Sequence, residues 1–142
     1  MKSIAYIEEK PTVSEYNNLR INAGWGLFPD NEAIEKGLNN SLYKLCARND
    51  GKLIGFGRVI GDGSITFYIQ DLIVLKKYQR SGIGTEIMEF LMSYISRVAS
   101  ERAVIGLLSA KGKEAFYEKF GFIHRPNEKY GNGMFMFWKT DT

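Results

Sequence analysis

The chain predicts a mixed α/β fold of the α+β type, with a mixed, mostly antiparallel central sheet of six to seven strands flanked by about four helices. Strand-like and helix-like patterns follow one another without strict alternation, which argues against a purely parallel βα repeat. An Asn49-Asp50-Gly51 turn joins two apolar stretches as a hairpin. A long apolar-periodic stretch at 83–98 follows an apolar run through a glycine turn, the pattern of a strand feeding a helix. With 142 residues, 44% of them hydrophobic and 25% charged, the chain is expected to form one globular domain over 1–142.

Residues 3–8 read as a short strand, and 14–23 as a helix with Ser14 as its cap and Gly24 at its end. Trp25 to Pro29 form an aromatic loop, after which Asp30 caps a second helix over 31–38. The hairpin pairs 43–48 with 53–60, and 65–75 is the longest strand candidate. In 83–98, Ile83, Ile87, Phe90, Leu91, Tyr94, Ile95 and Val98 recur at helical spacing, with Glu86, Glu89, Ser93, Ser96 and Arg97 on the other face. Segment 104–108 reads as a buried strand. A short helix over 112–120 stops at Gly121, and 122–125 and 134–139 read as the last strands.

The stretch Gln79-Arg80-Ser81-Gly82-Ile83-Gly84 is the most informative in the chain. A strand, a short basic turn and glycines opening a helix make an anion site, because the first helical N–H groups are unpaired and carry the positive end of the dipole. It is not a nucleoside triphosphate loop, since Thr85 and Glu86 follow Gly84 where a lysine and a hydroxyl residue are needed. Ile87 stands where a dinucleotide fingerprint needs a third small residue. The net charge of +3 and the scattered Lys and Arg residues predict no nucleic-acid partner. No segment approaches the roughly 20 apolar residues of a membrane span, so no membrane partner is expected. One cysteine and one histidine exclude an intrachain disulfide and make a metal centre an unattractive reading. Acidic Glu8 and Glu9 soon after the start argue against a signal peptide, and a cytoplasmic protein is expected.

Gln79-x-x-Gly82-x-Gly84, after Leu72-Ile73-Val74, resembles motif A of the GNAT N-acetyltransferase superfamily. Downstream, Ala115-Phe116-Tyr117-Glu118-Lys119-Phe120-Gly121-Phe122 resembles its motif B. Together they cover 65–122. The resemblance implies acetyl-CoA as cofactor and a GNAT-like sheet whose central strands, here 65–75 and 104–108, splay apart to admit it. It implies a pyrophosphate on the N–H groups of Gln79, Arg80, Ser81, Gly82, Ile83, Gly84 and Thr85. The pantetheine arm would pair with the backbone of Leu72, Ile73 and Val74 like an added strand. Lys111 and Phe116 are further implied cofactor contacts, and Lys76, Lys77 and Arg80 lie near the turn. Dimerisation is common among resembling proteins, so a homodimer is an available assembly.

Acetyl transfer to an amine needs a neutral amine, a polarised thioester carbonyl and a stabilised thiolate. An amine resembling lysine has a pKa near ~10 and a thiol resembling cysteine near ~8.5. A backbone N–H of Val74 or a neighbour is the expected carbonyl donor. Tyr117 matches the motif B tyrosine and is the expected general acid toward the sulfur. Asp71, in an otherwise apolar strand, is the candidate base, and an ion pair with Arg58 is the competing reading. Simple alternation sets Tyr68, Gln70 and Leu72 on one face and Ile69, Asp71 and Ile73 on the other. Tyr68 stands where some family members carry a catalytic glutamate, so a water-relayed base or uptake of a neutral amine is also open. Cys46 reads as a buried structural thiol and His124 as an edge histidine.

Trp25, Phe28, Tyr68 and Tyr130 are the candidate acceptor contacts, with Phe135 and Trp138 as further aromatics and 127–133 as a polar loop. The expected activity is N-acetyl transfer from acetyl-CoA to a small-molecule or peptide amine by direct attack in a ternary complex. The competing class is a CoA-binding sensor or interaction module without turnover.

Overall fold

Strands β1 (Ala5–Glu8), β2 (Tyr43–Asn49), β3 (Lys52–Gly61), β4 (Thr66–Val74) and β5 (Val104–Gly106) form one sheet in that spatial order in the computed structural model. It describes residues 3–139. The first three junctions are antiparallel, and β4 pairs with β5 in parallel. Four α-helices lie among the described residues: α1 (Val13–Asn22), α2 (Asn31–Asn39), α3 (Ile83–Val98) and α4 (Glu114–Glu118). The chain divides into two compact units, Met1–Leu107 and Leu108–Thr142. Among the described residues, no helix is long and apolar enough to cross a membrane.

The α+β class and the mixed sheet agree with the sequence, but the sheet has five strands where six to seven were expected. Segments 122–125 and 134–139 are not strands. Met134-Phe135-Met136-Phe137-Trp138 is apolar at successive positions, so as a strand it needs cover on both faces and ladder partners along its edges. Ahead of it, at 127–130, the second unit is held by local bonds. The Asn127 side chain accepts from the N–H groups of Lys129 and Tyr130 at 2.9 and 2.8 Å, and the Asn127 N–H donates to Tyr130 O at 2.9 Å. Two helix limits also move. Thr12, not Ser14, caps α1: its hydroxyl accepts from Glu15 N–H and the Glu15 carboxylate accepts from Thr12 N–H, each at 3.0 Å. α4 is shorter than the expected 112–120.

The β2–β3 hairpin forms as the sequence predicts, with Asp50 and Gly51 at φ of 51° and 81°, the paired positive values of a two-residue type I′ turn. Helix α3 buries Ile83, Ile87, Met88, Leu91 and Ile95, each worth roughly 1.5–3 kcal/mol of burial. It lies so close to β3 that a Cβ at Gly57 would stand 2.9 Å from Ile87 Cγ2 and 3.1 Å from Leu91 Cδ1. On the opposite face of β3, Phe56 meets the ring of Tyr16 from α1 edge-on, with centroids 6.3 Å apart.

Strand β4 is irregular in two places. Phe56 pairs with Ile73 and Arg58 with Gln70, so Gly57 alone stands opposite Asp71 and Leu72. This is a β-bulge, with Asp71 at φ 59°. It breaks the expected alternation. Gln70 and Asp71 lie on the same face, where the Gln70 amide reaches the Asp71 carboxylate at 3.1 Å. Leu72 turns to the α3 face, where its Cδ1 lies 3.4 Å from the Cβ position of Gly57. The second irregularity is on the other edge. The β4–β5 ladder runs through Thr66↔Val104, Phe67↔Ile105 and Tyr68↔Gly106 and then stops. Beyond Tyr68, β4 has no ladder partner on that side among the described residues, which is the separation of central strands expected of the sequence, with β5 shorter than 104–108.

Candidate functional site

The unshared edge of β4 runs directly into the glycine turn. Leu75 N–H donates to Ile54 O at 2.8 Å, and a short 3-10 turn, Lys76–Tyr78, comes next. The Gln79 side chain turns back and donates to Val74 O at 2.9 Å. Ser81 Oγ donates to Tyr78 O. Gln79 and Ser81 thus tie the turn to itself and to the strand. Arg80 has φ 64°, and Gly82, the N-cap of α3, has φ 89° and offers no side chain to the helix start. The first N–H groups of α3 at Ile83, Gly84 and Thr85 therefore point out of the helix end. Nothing lies within 4 Å of a Cβ placed on Gly82, so the approach to these donors is open.

A cavity of about 730 Å³ borders this helix end, lined by Ile4, Tyr6, Tyr78, Ser81, Gly82, Ile83, Thr85 and Glu86. Burial, followed by the neighbouring Glu86, pushes the Tyr6 phenol well above the ordinary tyrosine range. A bare helix N-terminus with backbone donors suits a pyrophosphate. The free edge at Leu72, Ile73 and Val74 suits an extended amide-bearing arm. The residues present therefore fit CoA.

Asp71 lies in the same unit. Its carboxylate is 0% exposed. Oδ2 accepts from Tyr16 Oη and from Arg58 Nε, both at 2.8 Å, and Oδ1 accepts from Gln70 Nε2. Arg58 Nη1 goes on to donate to Ser41 Oγ at 3.0 Å and to Gly37 O at 3.3 Å, at the end of α2. The ion pair offered by the sequence as the competing reading is thus present. Burial, with the Asp71 charge second, pushes the Tyr16 phenol up to about 12.

The second unit holds Lys111, Phe116 and Tyr117. Phe116 and Tyr117 sit on α4, edge-on to each other at 5.1 Å, and Phe122 packs edge-on against Tyr117 at 6.3 Å. Burial raises the Tyr117 phenol above its ordinary value, so the hydroxyl stays protonated and able to donate at neutral pH. Lys111 is exposed before the helix.

Of the acceptor candidates, Trp25 and Phe28 gather around Arg20, whose guanidinium lies 5.9 and 5.7 Å from their ring centroids. Arg20 Nε also donates to Gly26 O at 3.0 Å. Asn17, nearly buried, fixes the loop by accepting from Phe28 N–H at 2.9 Å. Tyr68 is half-buried on β4, and Tyr130 belongs to the second unit, between Arg125 and Lys129. Tyr16 and Asn17 escaped the sequence reading. The Thr12-x-x-Glu15 capping box was the available signal, since it fixes the phase of α1 and therefore which side chains face the sheet. Cys46 is fully buried, its thiol pushed up to about 12 chiefly by burial and donating to Glu9 O. His124 pairs with Glu118 at 3.1 Å, half-exposed.

Residues 12–137 match the family model described as acetyltransferase (GNAT) domain. A meticillin-resistant Staphylococcus aureus protein of unknown function, named as a probable acetyltransferase, is 38% identical with a TM-score of 0.86, over 95% of this chain and 100% of that one. An uncharacterized N-acetyltransferase ycf52-like of Prochlorococcus marinus is 33% identical over 79% of this chain, which spans 63% of that relative's length. The fold also matches that of a GNAT family acetyltransferase from Brucella melitensis in complex with acetyl-CoA, with a TM-score of 0.62, 19% identity, and 87% of this chain and 85% of that one covered. Strand, bare helix end and motif B tyrosine stand in the order that this match requires, and the chain belongs to the GNAT acetyltransferase family.

Proposed function

We propose that this chain moves an acetyl group from acetyl-CoA to the primary amine of a small molecule, by direct attack in a ternary complex. The observation that carries the reading is the unshared edge of β4 leading into the uncapped start of α3. Acetyl-CoA brings the acyl group as a thioester and leaves as the thiol. The acetyl-CoA held by the Brucella melitensis neighbour supports this cofactor.

Each chain element has a defined task in this reading. Gln79 N–H already donates to Lys76 O at 3.2 Å, so the N–H groups of Arg80 to Thr85 bind the pyrophosphate, and the backbone of Leu72, Ile73 and Val74 aligns the arm. An N–H at or beside Val74 donates to the thioester oxygen as negative charge builds on it. A C–N bond forms and the C–S bond breaks. Tyr117 donates to the departing sulfur, and the proton lost by the amine leaves through water. Trp25 and Phe28, set around Arg20, offer the acceptor an aromatic surface.

The test is thiol release from acetyl-CoA across a panel of primary amines, for wild type and Tyr117→Phe. Amine-dependent release is expected. Turnover in Tyr117→Phe is expected to fall by roughly 100-fold, the scale of general acid catalysis. Tight CoA binding without release for any amine would instead favour a CoA-binding module. Unchanged turnover in Tyr117→Phe would remove the tyrosine from the mechanism.

A further inference from the structure

We infer that Asp71 is a positioning residue: its buried carboxylate, held by Tyr16 and Arg58, locks the bulge in β4 and so decides how Leu72, Ile73 and Val74 present their backbone. The inference rests on the acetyl-CoA reading of that strand. Three observations carry it. Asp71 holds φ 59°, a left-handed conformation uncommon outside glycine, though Asp and Asn adopt it more readily than other residues. Groups that hold it there are present, since one carboxylate accepts from Tyr16 Oη, Arg58 Nε and Gln70 Nε2. The bulge also reverses the phase of β4, with Gln70 opposite Arg58 before it and Ile73 opposite Phe56 after it.

Were β4 to alternate regularly through Asp71, with no bulge, Ile73 would fall on the α3 face and Leu72 on the α1 face. Every N–H and C=O from residue 72 onward would then point to the opposite edge of the strand. The network also ties elements together. Tyr16 belongs to α1, and Arg58 continues to Gly37 O and Ser41 Oγ at the end of α2. A displacement of either helix is therefore felt at the cofactor strand.

The same geometry is poorly suited to a base. The carboxylate is 0% exposed, both oxygens already accept, and a proton on it would leave the Arg58 guanidinium without its counter-charge.

The test compares Tyr16→Phe and Asp71→Asn with wild type, first by amide hydrogen exchange in the ligand-free protein. Asparagine tolerates the left-handed backbone, so Asp71→Asn removes the charge with little change of backbone preference. Tyr16→Phe removes one donor and preserves the packed ring. Exchange at residues 72–74 is expected to rise roughly tenfold in both variants, as for loss of a charge-assisted hydrogen bond, while α3 stays protected. The acetyl-CoA KM is expected to rise by a similar factor. The double variant should be no worse than Asp71→Asn alone, because the two side chains act through one bond. The acid limb of the kcat/KM profile should survive in Asp71→Asn. Unchanged exchange at 72–74 in both variants overturns the inference. So does loss of the acid limb with an unchanged acetyl-CoA KM, which would make Asp71 the base. A wild type without amine-dependent thiol release would sink the transferase reading alone, and the exchange data would still decide the inference.

Discussion

The two stretches that flank Leu72 to Val74 are built by opposite means. At residues 79–85 the site is made of backbone. Its glycine cap has no side chain to offer, Arg80, Ser81 and Gly82 are exposed, and the turn is held by bonds between near neighbours. At Asp71 the backbone is equally unusual, but a buried side chain holding donors from α1 and β3 maintains it. The first arrangement leaves N–H groups free for a ligand. The second has both carboxylate oxygens engaged. A binding surface needs unsatisfied donors, whereas a fixed scaffold needs satisfied ones.

This contrast is broken most severely by Asp71→Ala. It leaves the Arg58 guanidinium without its partner, and removing one member of a buried pair costs about 3–5 kcal/mol. Urea denaturation should show that loss as a lower midpoint. At the other end, Gly82→Ala puts a Cβ into open space, so only the left-handed backbone resists, at about 1–2 kcal/mol. Its larger effect should be on ligand. Calorimetry should show CoA binding roughly tenfold weaker or worse, because the helix-end donors shift or become covered.

The α1 anchor sharpens the comparison further, since α1 carries Tyr16. Glu15 is held down to about 2 from 4.5, first by its hydrogen bond to Arg48 and also by its bond from Thr12 N–H. Because the folded value lies below the unfolded one, this stabilisation is complete above pH 4.5 and disappears as pH falls through 2. Glu15→Gln should flatten the stability profile in that window, measured by urea denaturation at several pH values. The smallest effect is expected from Thr12→Ala, about 1 kcal/mol for a lost cap, read as a lower melting temperature with CoA affinity unchanged.

Much of the molecule was legible because its causes are local. The Asp50-Gly51 turn, the Asp30 cap of α2, the periodicity of α3 and the glycine turn each depend on residues within a few positions of one another. The bulge was not legible. An aspartate in an apolar strand signalled something unusual and Arg58 was a nameable partner, but alternation alone gave the wrong face for Leu72. Tyr16 is 55 positions from Asp71, and no local pattern reports such a pairing. The final segment shows the opposite failure. A run of β-favouring residues from Met134 to Trp138 reads as a strand, yet a strand exists only through its partners.

The sequence by itself determined the α+β class, the strand–turn–helix with its uncapped start, and the place of the motif B tyrosine, because dihedral preference and hydrophobic period are written residue by residue. Only the tertiary structure decided that β4 loses its β5 partner after Tyr68 and that its phase reverses at Asp71. It also gave that carboxylate its donors Tyr16, Arg58 and Gln70. Register and burial are properties of the neighbours a residue acquires on folding, and those neighbours lie far away in the chain.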